Sequence, residues 1–319
     1  MPNGDIQAAP PLTPPAATAT APDATIRKRL QRPFWGPNGL RALWRLLIFI
    51  ALVFGIRIPL NRLLHLSGGI KDFTAKAVLL QDGAALVIVL AATAIMGAFE
   101  RRSLGTYGLP LRGAFGSRFF EGILWGFLAE CATMFTLYLT GTASFHGFDQ
   151  RGTSALYFGA MWAAAFLLVG FFEELLFRGY PQFTLASGIG FWPAAILLSG
   201  LFWLGHMQNP GETWVGGLSV ALAAIIFCVS LRLTGNLWFA IGMHTSWDWA
   251  ETYFFGVADS GMQPNGHLLN TTLSGSKWMT GGTVGPEGSV IELLVVSAVI
   301  GLLFVRFNRP AQRLTSPLS

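Results

Sequence analysis

Residues 155–178 read ALYFGAMWAAAFLLVGFFEELLFR, and this stretch decides the fold. Ala155 to Phe172 contain no charged side chain; Glu173, Glu174 and Arg178 then follow in the same apolar run. A helix needs about 20 predominantly apolar residues to cross the hydrocarbon of a bilayer. Similar runs lie at 43–58, 77–99, 119–139, 191–207, 214–233, 237–255 and 289–306. With 155–177 they predict an all-α protein, a polytopic transmembrane helical bundle of about eight spans.

Composition agrees. The chain has 319 residues, 52% hydrophobic and only 12% charged, where a soluble domain carries about 25% charged residues. Mean hydropathy is +0.52. The formal net charge of +5 reads as a positive-inside bias and attraction to anionic lipid, so the lipid bilayer is the expected environment. No basic stretch is interleaved with aromatics, and nucleic acid is not an expected partner. Cys131 and Cys228 both sit in apolar runs without CxxC spacing and read as inert buried thiols.

Lys and Arg set the expected orientation. Arg27, Lys28, Arg29, Arg32 and Arg41 precede the first span, and Arg306, Arg309 and Arg313 follow the last. Both termini are therefore expected on the cytoplasmic side, with Arg101, Arg102, Arg112, Arg118 and Arg232 also inside. One loop, with Arg57, Arg62, Lys71 and Lys76, runs against the pattern. The start of the chain is rich in Pro, Ala and Thr and shows no secretory signal peptide. The expected organisation is a disordered cytoplasmic tail (1–30), N-terminal transmembrane helices (31–154), a four-helix core (155–255), a connecting loop (256–288) and a last helix with its tail (289–319). The loop is rich in Gly, Ser and Thr and holds Asp259, Lys277 and Glu287.

Ionisable groups in lipid are unfavourable by roughly 2.5–3.5 kcal/mol at a helix centre and need a partner or a task. Three clusters stand out. In the first, Glu174 and Arg178 are four apart, share a helix face and can neutralise each other. Glu173 points about 100° away, without a local cation. A carboxylate in apolar surroundings holds its proton more tightly than in water, which suits a general base or acid near neutral pH. In the second, Phe202 lies one turn before His206 and can pack on its ring. In the third, His244 and Asp248 share a helix face, so that Asp248 can orient the imidazole, or the pair can ligate a metal. Each cluster also has a purely structural reading: a helix-end salt bridge, an interfacial histidine, a buried pair joining two helices. A hairpin of 155–186 and 191–207, turning near Ser187–Gly190, brings Glu173 and His206 to a similar height. Glu130, mid-span, is expected to pair with an Arg or line a cavity. His65, His146 and His267 lie at span edges or in loops.

The three motifs, Glu173-Glu174-x-x-x-Arg178, Phe202-x-x-x-His206 and His244-x-x-x-Asp248, resemble those of the CAAX prenyl protease and bacteriocin-processing family of intramembrane endopeptidases. Each occurs widely alone; the ordered set on consecutive apolar segments is specific. The likeness covers about 155–255. It implies a hydrolase, a CAAX-type protease acting on a membrane protein or peptide. By position, Glu173 would activate water and His206 would hold it. His244 and Asp248 would stabilise the oxyanion, while Glu174, Arg178 and Phe202 shape the site. The family carries Asn or Asp at the place of Asp248; Asn donates a hydrogen bond, whereas an ionised Asp cannot. The cofactor is either zinc, with Glu173, His206, His244 and Asp248 as candidate ligands, or none, since HExxH is absent. A catalytically silent scaffold and a transporter are the competing readings. A transporter predicts inverted repeats, which the sequence does not display.

Overall fold

The computed structural model describes residues 34–36, 39–66 and 72–307. The expected tail at 1–30 lies outside them. The chain divides into two units at Arg41. The described part of the first is a short hairpin, in which β1 (Trp35–Gly36) pairs antiparallel with β2 (Gly39–Leu40).

The second unit is helical. It comprises α1 (Ala42–Leu63), α2 (Ala75–Glu100), α3 (Ser117–Leu139), α4 (Gly152–Arg178), α5 (Tyr180–Ile189), α6 (Phe191–His206), α7 (Trp214–Thr234), α8 (Trp238–Trp249), the short α9 (Lys277–Thr280) and α10 (Val290–Phe307). Local signals set several boundaries. The Thr74 and Thr213 hydroxyls accept the backbone N–H groups of Ala77 and Gly216 and cap α2 and α7. Gly235, at φ 80°, closes α7.

Among the described residues, six helical segments are long and apolar enough to cross a membrane: α1, α2, α3, α4 with α5, α7 and α10. The spans expected at 191–207 and 237–255 correct to shorter helices. α6 has 16 residues, and α8 has 12 before a π-helical turn (Ala250–Phe255). The reason for α8 is that its apolar residues serve protein, not lipid: every residue from Trp238 to Trp247 is buried. The outer helices behave oppositely, with Phe99, Leu156 and Val305 largely exposed. That is the surface a bilayer requires. Two ion pairs join charges on different spans: Arg45 pairs with Glu100 at 3.2 Å and Glu121 with Arg306 at 2.9 Å.

α8 is the axis of the bundle and is held by glycine contacts. A Cβ on Gly122 or Gly126 of α3 would fall 2.1 Å from the carbonyl oxygens of Phe239 or Met243, and one on Gly242 would fall 2.2 Å from that of Phe119. Small residues let two helix backbones touch, which fixes α8 in height and rotation. Gly126→Leu is expected to force the pair apart and destabilise the fold by about 3 kcal/mol. Gly301→Ala, with open space around its position, should leave unfolding temperature in detergent unchanged.

The expected continuous helix over 155–186 is broken at Gly179, between α4 and α5. A Cβ there would fall 2.4 Å from the Leu175 carbonyl oxygen. The 256–288 segment is more than a connector. It contributes β4 (Leu269–Leu273), which pairs antiparallel with β3 (Ala143–Phe148), and a 3-10 turn at Pro286–Gly288. It is tied to the helices by the Trp162 indole N–H, which donates to the Gly266 carbonyl at 3.0 Å.

Candidate active site

The last turns of α4 supply the first group of side chains. Helical spacing brings Arg178 Nη1 to Glu174 Oε1 at 3.1 Å, and neither side chain is exposed at all. The Arg178 guanidinium lies over the rings of Phe202 and Phe227, at 4.6 and 5.3 Å from their centroids. A buried cation is tolerated here because one carboxylate and aromatic faces replace water.

α8 brings His244 to the same place. Its Nδ1 lies 3.1 Å from Glu174 Oε1. Its Nε2 lies 3.6 Å from Glu173 Oε2 and 3.6 Å from Asp248 Oδ2. Phe227 of α7 stacks on the ring at 4.9 Å with planes 16° apart. Three carboxylates and one aromatic face thus fix the imidazole. A distance of 3.6 Å is an ion-pair contact, too long for a direct hydrogen bond, and suits a bridging water. Spacing along α4 left Glu173 without a cation; tertiary packing supplies His244.

His206 ends α6. Its Nδ1 lies 2.9 Å from the Phe202 carbonyl oxygen, and its ring packs 4.3 Å from that of Phe202. A carbonyl only accepts, so Nδ1 carries the proton and Nε2 of the neutral ring is left as an acceptor.

Glu173, His206, His244 and Asp248 line one cavity of about 240 Å³. Phe166, Val169, Val220 and Trp247 make its apolar walls. Glu174 and Arg178 are not among the lining residues; they stand behind His244 as its support. The structure therefore brings together the sequence-named residues in two tiers.

Sequence reasoning missed several lining groups. Gln81 and Asp82 of α2, Asn209, Asp259 and Glu287 also face the cavity. Asp82 had a signal, an ionisable group inside an apolar run. Asp259 and Glu287 had none, because polar residues are ordinary in a loop. Burial pushes the Asp259 carboxyl up to about 6, against the pull of the Thr252 hydroxyl that bonds to it at 2.8 Å. Burial, with repulsion from Asp259, takes Glu287 well above the usual carboxylate range. Glu212, in the loop after α6, is also pushed up by burial. Glu130 meets neither expectation: it forms no ion pair with a described Arg and is absent from the cavity lining. His65 and His146 are exposed.

A metal needs converging donors. Among the described residues, the group of three whose ligand atoms lie within 4.8 Å of one another is Glu251, Asp259 and Glu287. The ligand atoms of the candidate set Glu173, His206, His244 and Asp248 do not converge in this way. The two free cysteines, Cys131 and Cys228, lie outside the cavity lining.

The motif-bearing segment was compared with known families. Residues 155–250 match the family described as type II CAAX prenyl endopeptidase Rce1-like. This segment resembles a CAAX protease domain. It encloses all three motifs, from Glu173 to Asp248, and the chain carrying it is an integral membrane protein by its long apolar helices. Comparison with curated proteins and with solved structures gave no match.

Proposed function

We propose that this chain is an intramembrane endopeptidase that hydrolyses a peptide bond of a membrane-associated protein or peptide with a water activated by Glu173. One observation carries the reading: the Glu173 carboxylate and His244 Nε2 stand 3.6 Å apart on a cavity that His206 also lines. Amide hydrolysis needs a base for water, donors for the oxyanion and a proton for the leaving amine. Glu173 takes a proton from water as the oxygen attacks the scissile carbonyl. His206 Nε2, an acceptor, holds the second water hydrogen. The His244 Nε2–H points charge at the developing oxyanion, while Glu174 at Nδ1 keeps the ring oriented. The proton on Glu173 then passes to the departing nitrogen, and the carboxylate is restored. Asp248, 3.6 Å from the same Nε2, suits an orienting role better than oxyanion donation, because an ionised carboxylate has no proton to give.

A prenylated C-terminal tail is the first substrate to try, given the description of the matched family. The basic flanks support cytoplasmic termini. The test is a proteomic comparison of membranes holding wild type and Glu173→Ala at equal levels. Accumulated uncleaved substrate in the variant supports catalysis; identical membrane proteomes support a silent scaffold. His244→Ala is expected to abolish cleavage of that substrate while unfolding temperature in detergent stays near wild type. Full cleavage by this variant would remove the oxyanion role.

A further inference from the structure

Glu251, Asp259 and Glu287 have no part in the proposed cleavage chemistry. Glu251 lies in the π-helical turn after α8, Asp259 in the following loop and Glu287 in the 3-10 turn before α10. One carboxylate oxygen from each lies within 4.8 Å of the other two. The main chain gathers them: Val257 N–H donates to the Glu251 carbonyl at 3.2 Å, and Gly261 N–H donates to the Val284 carbonyl at 2.8 Å. Gly285 completes the cradle, since a Cβ there would fall 3.3 Å from Glu251 Oε1 and 2.0 Å from the Ala258 carbonyl oxygen.

A second observation points to a ligand. Glu251 is 2% exposed, and its Oε1 accepts no hydrogen bond from any described group. Glu130 of α3 is fully buried, neither of its carboxylate oxygens has a partner, and it lies within electrostatic reach of Glu251, Asp259 and Glu287. Among the described residues, none of these four carboxylates forms an ion pair with a Lys, Arg or His. Carboxylates buried together either keep their protons or take up a counter-ion, and a bound cation would release those protons.

We propose that Glu251, Asp259 and Glu287 hold a divalent cation of the calcium class, which fastens the 256–288 segment to the end of α8. The donors are all carboxylate oxygen, with no imidazole or thiolate, and this selects a hard ion over zinc. Oxygens held by one calcium ion at about 2.4 Å lie no more than about 4.8 Å apart, and the three donors meet that bound. Magnesium demands near-ideal octahedral geometry and keeps several waters, so an all-protein carboxylate cage suits it less. Asp259 and Glu287 also line the cavity, so the ion would set one of its walls.

The test uses the full chain, purified in detergent, stripped with chelator and titrated with calcium. Isothermal titration should give one ion per chain, and saturating calcium should raise the unfolding temperature by about 5 °C. Asp259→Asn and Glu287→Gln should each weaken calcium binding at least about tenfold. Asp149→Asn, at an exposed position, should bind like wild type. Wild type that shows neither heat nor a thermal shift up to about 10 mM calcium overturns the proposal, whatever the variants do. So does calcium binding that survives the Asp259→Asn/Glu287→Gln double variant, or binding of zinc in preference to calcium at these residues.

Discussion

Glu173→Gln is expected to lower the cleavage rate about 1000-fold or more while leaving the protein folded. Glutamine keeps the shape of the side chain but can neither take a proton from water nor return one to the leaving nitrogen. Both halves of the proposed reaction therefore fail together. The fold should survive because Glu173 stands on the cavity wall with its side chain 22% exposed, and His244 still has Glu174 at Nδ1 and Asp248 at Nε2. Substrate binding should change little, so the loss belongs in kcat and not in KM. The measurement is single-turnover cleavage, in proteoliposomes, of the substrate found by membrane proteomics, beside thermal unfolding of the same preparation. A variant that keeps more than about a tenth of wild-type rate rules out Glu173 as the base.

Relationships within one helix were legible before the fold. The i,i+4 spacing gave the Glu174–Arg178 ion pair and the packing of Phe202 on His206, and both stand in the structure at 3.1 and 4.3 Å. The apolar runs gave the bundle, because lipid leaves few alternatives to helices for a chain this poor in charge. What could not be read was everything set between helices. Nothing local ties Glu174 to His244, seventy positions on, or turns Phe227 onto the same ring. Hydropathy also measures how apolar a segment is, not what its faces touch. For that reason α8, enclosed by α3 and α4, resembled a lipid-facing span. Gly179 was hidden for a related reason: the chain turns there at φ −78° and ψ −128°, where a Cβ would meet the Leu175 carbonyl, and a hydropathy window does not weigh backbone conformation. Asp82 was visible as an anomaly in its span, but the cavity it faces is built by residues from distant segments.

Arg178→Ala is expected to destabilise the protein by about 3–5 kcal/mol and to abolish cleavage with it. Arg178 does not line the cavity that holds Glu173 and His244, so the effect must travel through its neighbours. Glu174 Oε1 is shared between Arg178 Nη1 and His244 Nδ1, each at 3.1 Å, and Glu174 Oε2 has no hydrogen-bond partner among the described residues. Removing the guanidinium leaves a fully buried carboxylate facing one imidazole, and it leaves empty the space between the rings of Phe202 and Phe227. Lost charge pairing and lost packing act in the same direction. The double variant Glu174→Leu/Arg178→Met separates the two consequences. It removes both charges and refills the volume, so most of the stability should return. Activity should not return, because His244 Nδ1 would then face a hydrocarbon and the ring would lose the contact that orients Nε2 toward the cavity. Thermal unfolding in detergent and cleavage in proteoliposomes read these two responses independently. Recovery of both in the double variant would assign Glu174 to stability alone, whereas recovery of stability without cleavage makes the buried pair the positioning device for His244.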